Sequence, residues 1–107
     1  MVRSTPLQVP IDETALHAFC VEKAVSELAL FGSVLRADFG PHSDVDVLVR
    51  FLPGRRISLI DMCAMEADLS PLLGGRAVDL HTIADLHPKI RARVLVEREV
   101  LYDAPSR

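Results

Sequence analysis

Tryptophan is missing from the 107 residues, tyrosine occurs once and cysteine only twice. So thin an aromatic content leaves no stripe of rings interleaved with basic residues, the arrangement on which single-stranded nucleic acid stacks. Basic residues are also in the minority, 12 Lys and Arg against 15 Asp and Glu, for a net charge of −3. A broad duplex-binding face is disfavoured, because phosphate contacts demand clustered cations. Cys20 and Cys63 are far apart and show neither CxxC nor zinc spacing, so no disulfide framework or structural zinc is expected. No apolar run approaches the roughly 18 residues a spanning helix needs. Residues 1–10 carry Arg3, two prolines and no apolar h-region, unlike a secretory signal. These absences predict a cytoplasmic protein with two reduced, buried thiols.

What is present is ordinary globular material: half the residues are hydrophobic and a quarter charged. The length suits one domain over 1–107, with an irregular lead-in at 1–11 and a frayed tail at 103–107. Asp12 is placed to cap a helix over 13–23 with Leu16, Phe19 and Cys20 on one face. A strand over 25–31 ends at Gly32, a single helical turn follows over 33–37, and residues 39–43 form a turn. Val and Leu make 45–51 a strong strand. Ser58 and Asp61 form a capping box that opens a helix over 59–73. That helix is apolar nearly all round apart from Asp61, Glu66 and Asp68, which predicts burial in the domain or against a partner. Gly74 and Gly75 end it. A strand over 77–82, a helix over 88–98 and a short strand over 100–102 complete the chain. Strands separated by helices predict an α/β (α+β) fold, a small mixed sheet flanked by helices.

The chemistry concentrates at Ser43-Asp44-Val45-Asp46-Val47-Leu48-Val49. In a strand, residues i and i+2 share a face roughly 6.6 Å apart. Asp44 and Asp46 therefore lie together, with Val45, Val47 and Val49 on the other side. Two such carboxylates repel one another unless protons or a cation intervene. Carboxylate oxygens are hard ligands suited to Mg²⁺. Asp79, in the apolar strand Ala77-Val78-Asp79-Leu80, adds a third carboxylate if the two strands are neighbours. Three converging acids suit metal-assisted phosphoryl chemistry. Upstream, Gly32-Ser33 stands between a strand and a helical turn, where backbone N–H groups and a hydroxyl can meet an anion.

The segment GSVLRADFGPHSDVD thus reads Gly32-Ser33, ten residues, then Asp44-x-Asp46. With Arg76-Ala77-Val78-Asp79-Leu80 and the ending Val100-Leu101-Tyr102, it resembles the DNA polymerase β-like nucleotidyltransferases, and most closely the minimal nucleotidyltransferase (MNT) proteins of bacteria and archaea. The resemblance spans roughly 19–102. It implies transfer of AMP from ATP to an acceptor hydroxyl. Gly32 and Ser33 would hold the triphosphate, Asp44 and Asp46 would bridge two Mg²⁺ ions, and Asp79 would complete the acceptor-side metal and help deprotonate the attacking hydroxyl. It further implies an antitoxin that adenylylates a tyrosine of a partner HEPN-domain toxin, a helical ribonuclease. Two alternatives stand beside this: neutralisation by binding alone, and transfer to a small molecule or an RNA end.

Other residues have two readings each. Arg36 either steadies a phosphate or pairs with Asp38, the pair being favoured. His81 shares a strand face with Asp79 and is either a site residue or a hydrogen-bonded structural histidine. His42 precedes the acids in a loop and is able to meet nucleotide. His17 and His87 are expected at a helix surface and a helix start, and Tyr102 as an anchor.

Overall fold

The structure, a computed structural model, describes residues 8–105. Its elements run α1 (Glu13–Glu22), β1 (Val25–Phe31), a 3₁₀ turn (Gly32–Leu35), β2 (Val45–Phe51), α2 (Leu59–Leu69), a second 3₁₀ turn (Ser70–Leu73), β3 (Val78–His81), α3 (Pro88–Glu97) and β4 (Glu99–Asp103). The four strands form one mixed sheet in the order β3-β2-β1-β4. β1 pairs antiparallel with both β2 and β4, while β2 and β3 run parallel. The parallel pair needs a long crossover, and α2 supplies it. The mixed sheet expected from the sequence is therefore present.

Each sheet face packs differently. One carries Leu28, Leu30, Val45, Val47 and Val49 into a core shared with Leu16 and Cys20 of α1 and Met65 and Leu69 of α2. The other carries a smaller cluster of Ala29, Phe31 and Leu48 against Leu86 and Val94. This second cluster leaves one end of its face to polar residues, and the site described below lies there. Burial of Cys20 pushes its thiol up to about 12, which leaves it inert.

The caps read from the sequence form. Asp12 accepts from the Ala15 N–H at 3.1 Å. Ser58 accepts from the Asp61 N–H at 3.0 Å, and Asp61 accepts from the Ser58 N–H at 2.9 Å. His87 caps α3 and Gly74 closes the second 3₁₀ turn in a left-handed conformation.

Several expectations need correction. Helix α2 stops at Leu69 rather than running on to 73, because Pro71 has no N–H for the next helical bond and the chain tightens into a 3₁₀ turn. Nor is α2 buried all round: Met65 and Leu69 face the core, whereas Leu59 and Ile60 are 85% and 81% exposed. It meets the sheet along one stripe only. Cys63 lies on its open side, so only one of the two thiols is buried. The turn after Gly32 is 3₁₀ and ends at Leu35. Asp103 does not fray: it pairs with Glu27 in the sheet, and the Ala104 N–H donates to the Ser26 carbonyl at 2.8 Å. Residues 8–12 carry no helix or strand, as expected, yet Val9 is buried in the larger core. The rest of the lead-in, 1–7, and the last two positions of the tail, 106–107, lie outside the described residues. Among the described residues, no helix is long and apolar enough to cross a membrane.

Candidate active site

Sheet register brings two acids side by side. Asp46 is the second residue of β2 and stands opposite Asp79 of the parallel strand β3. Its flanking residues, Val45 and Val47, are fully buried in the larger core. Strand alternation therefore turns Asp46 to the other face. His81 follows Asp79 by two residues and shares its face. One oxygen or nitrogen from each of Asp46, Asp79 and His81 lies within 4.8 Å of the other two.

His81 is held from both sides. Its Nε2 lies 3.0 Å from Asp79 Oδ2 and its Nδ1 lies 2.8 Å from Asp85 Oδ1. Asp85 is itself fixed, its Oδ2 accepting from the Thr82 N–H at 2.8 Å. Phe31 meets the imidazole edge to face, with ring centroids 5.8 Å apart. Burial alone would lower the His81 pKa, but hydrogen bonds to Asp85 and Asp79 and the charge of both acids outweigh it, so the pKa rises. The result is a chain Asp85–His81–Asp79 that fixes the orientation of Asp79.

Asp46 has the opposite problem. Burial pushes its carboxyl above the usual range, and the charges of Asp79 and Asp44 push the same way, against His81 and Arg36. A half-buried carboxylate facing a second one is a poor arrangement for a folded chain alone. It is a good one for a cation. The donor set is rich in hard carboxylate oxygen, as Mg²⁺ requires. His81, engaged at both ring nitrogens, serves Asp79 as an outer-shell partner. The residues therefore fit a divalent ion.

Gly32 lies directly against this cluster. It has φ +76°, and a Cβ placed there would come within 2.3 Å of Asp46 Oδ2 and 3.2 Å of its Cγ. Only glycine gives both the left-handed backbone and the close approach. The turn it opens is pinned by Gln8, whose Nε2 donates to the carbonyls of Val34 at 2.6 Å and Arg36 at 2.7 Å. Beside Gly32 and Asp46 is a cavity of about 260 Å³, whose walls include Phe31, Arg36 and, from α3, Ile90, Arg93, Val94 and Glu97.

The loop that leads into β2 is held by Arg76. Its Nη1 donates to the carbonyls of Gly40 at 2.8 Å and Ser43 at 3.0 Å, and its guanidinium stacks over Phe39 at 4.4 Å. Ser43 Oγ in turn accepts from the Gly40 N–H at 2.9 Å. Asp44 and Asp46 are thus delivered from a braced loop. Arg76→Ala removes a donor from the Gly40 carbonyl, which keeps the Ser43 N–H at 3.2 Å, and from the Ser43 carbonyl, and it uncovers the ring; it should cost about 1–2 kcal/mol in urea unfolding. Arg76→Lys should recover only part of this, because an ammonium cannot reproduce the planar fork.

The structure therefore unites Asp46, Asp79 and Gly32 as the sequence suggested. Asp44 is exposed, immediately before β2, and is not part of the tight cluster with Asp79 and His81, although it is near enough to act on Asp46. Ser33 is half-buried in the 3₁₀ turn and does not line the cavity. His42 is exposed in the preceding loop. Arg36 pairs with Glu97 at 3.7 Å rather than with Asp38, because the extended backbone at Arg36 carries the side chain toward α3. Sequence reasoning missed Asp85 and the α3 residues Ile90, Arg93 and Glu97. Thr82-x-x-Asp85 was a legible capping pattern, but Arg93 and Glu97 at i,i+4 look like any solvated helix pair.

Comparison with known proteins gives the family and the fold. Residues 14–107 match the family model for polymerase beta nucleotidyltransferases. A Methanocaldococcus jannaschii protein, provisionally named a protein adenylyltransferase, is 34% identical over 77 residues, covering 72% of this chain and 80% of the relative. A solved structure provisionally described as a minimal nucleotidyltransferase is 34% identical with a TM-score of 0.64, over 81% of this chain and 86% of that one. A crystal structure of a toxin–antitoxin with AMP-PNP is similar at a TM-score of 0.68, over 88% of this chain and 75% of that one. At 18% identity the last is a likeness of fold.

Proposed function

The chain belongs to the polymerase beta nucleotidyltransferase family, and on that premise we propose that it transfers AMP from ATP to a tyrosine hydroxyl of a HEPN-type ribonuclease toxin and so acts as its antitoxin. The observation that carries the chemistry is the apposition of Asp46 and Asp79 beside a glycine whose Cβ, in any other residue, would press on the Asp46 carboxylate. The 34% identical relative named as a protein adenylyltransferase supports a protein acceptor. The likeness to a toxin–antitoxin complex with AMP-PNP suits the same partner and nucleotide.

In this reading Gly32 and Ser33 present backbone and hydroxyl to the triphosphate, and Asp44, Asp46 and Asp79 hold Mg²⁺, two ions in all. When bound, Mg²⁺ neutralises the acid cluster and the charge that develops on the phosphoryl oxygens. Asp79, oriented by His81, takes the proton of the acceptor hydroxyl. The hydroxyl oxygen bonds to the α-phosphorus as the bond from that phosphorus to the bridging oxygen breaks, and pyrophosphate leaves. Much of the rate comes from positioning. A cytoplasmic setting suits a reaction that consumes ATP.

Binding without catalysis gives no reason for a half-buried Asp46 set opposite a second carboxylate, the exposed Asp79. Intact-mass spectrometry separates the two. Toxin incubated with the chain, Mg²⁺ and ATP should gain whole adenylate units, and toxin incubated with the Asp44→Asn/Asp46→Asn variant should gain none. A stable complex with no mass gain under any nucleoside triphosphate would assign neutralisation to occlusion.

A further inference from the structure

Two side chains of α3 beside the acid cluster, Arg93 and Glu97, have no role in the proposed reaction. Arg93 Nε lies 3.3 Å and 3.4 Å from the two carboxylate oxygens of Glu97, one turn along α3. Arg36 Nη2, at the end of the turn that Gly32 opens, lies 3.7 Å from Oε1 of the same carboxylate. All three line the cavity that also holds Gly32 and Asp46. A helix-stabilising i,i+4 pair would need only Arg93 and Glu97. It gives no reason for a second guanidinium, 61 positions earlier in the chain, to converge on one carboxylate at the mouth of a cavity.

We infer that Arg93 joins Arg36, already read as able to steady a phosphate, in a clamp for the polyphosphate of the nucleotide substrate, and that Glu97 occupies the clamp as an intramolecular competitor until substrate displaces it. The inference rests on the nucleotidyltransferase reading of the site. A carboxylate resembles one face of a phosphate group, and an arginine fork donates to the oxygens of either in the same bidentate way. The contest between them is unequal. Glu97 brings one negative charge, a triphosphate several. The side chains of Arg36, Arg93 and Glu97 are 45%, 60% and 48% exposed, and ion pairs this open to solvent are weak. Once released, Glu97 has solvent to swing into, and its departure leaves two cations facing the entering phosphates. Competition by Glu97 also favours ligands with a full polyphosphate over those with a single phosphate, which cannot engage both arginines at once.

Calorimetric titration with inorganic tripolyphosphate in excess Mg²⁺ tests this without any transfer reaction. Glu97→Gln should tighten binding about fivefold, and Arg93→Gln and Arg36→Gln should each weaken it about tenfold. Arg93→Lys should recover part of the loss, keeping the charge and losing the fork. In the Arg36→Gln/Arg93→Gln background, Glu97→Gln should change affinity less than twofold, because the competitor then has nothing to occupy. Arg56→Gln, in the exposed loop before α2, makes the same change of net charge and should leave binding unaltered. Weaker binding by Glu97→Gln, or tight binding indifferent to both arginines, would overturn the clamp and leave the nucleotidyltransferase reading intact. Absence of tripolyphosphate binding in every variant and the wild type would overturn both.

Discussion

Gly32→Ala should reduce nucleotidyl transfer on the order of a hundredfold or more, since even small displacements of reacting groups are that costly. Two effects combine at this position. Left-handed backbone at φ +76° disfavours any Cβ, and this Cβ would lie 2.3 Å from an oxygen of Asp46. Either the turn moves away from the acid cluster or Asp46 does, and both break the apposition on which the site depends. Gly54 separates the two effects. It has φ +85° in the loop after β2, and nothing lies within 4 Å of a Cβ there. Gly54→Ala should therefore lose stability through backbone strain alone, about 1 kcal/mol, and leave transfer unchanged. Thermal melting and transfer assays on both variants check this. If Gly32→Ala kept full activity, the close approach would have no functional meaning.

Asp46→Asn should make the chain more stable and far less active. Asp46 is half-buried, opposite Asp79, and its charged form is disfavoured first by burial and then by that neighbour. Asparagine has nearly the same shape without the charge. In a chelating buffer the melting midpoint should rise by a few degrees, roughly 2–5 °C, the behaviour of a site that trades stability for function. Transfer should fall on the order of a thousandfold with loss of the charge that faces the metal and phosphates. Adding Mg²⁺ should raise the midpoint of the wild type much more than that of the variant, since a ligand stabilises only the form that binds it. A variant less stable than the wild type in chelator would mean that Asp46 is a structural hydrogen-bond acceptor rather than a charge held ready for a cation.

Local chemistry made much of this readable from residues alone. β2 was legible because its β-branched run allows little else, and the helix starts at Asp12 and Ser58 were legible because their caps lie within three residues. Asp46 and Asp79 were legible as strand acids, though only the parallel register of β2 and β3 sets them side by side. What was hidden depends on tertiary placement. The exposed flank of α2, with Leu59, Ile60 and Cys63, follows from where the sheet ends beneath it, which composition does not encode. The union of Arg36 with Glu97 spans 61 positions and needs α3 folded back over the second sheet face. The role of Asp85 depends on His81 turning one nitrogen to each acid.

In the proposed function this chain moves the α-phosphoryl group of a nucleoside triphosphate, with its nucleoside, to a protein hydroxyl. Parallel incubations of chain, Mg²⁺ and partner toxin with ATP labelled at the α- or the γ-phosphate test it most directly. Label is expected on the toxin from α-labelled ATP only, the γ-label leaving as pyrophosphate, with no labelling by Asp46→Asn. Label arriving from the γ-position, or a neutralised toxin carrying no label at all, would contradict it.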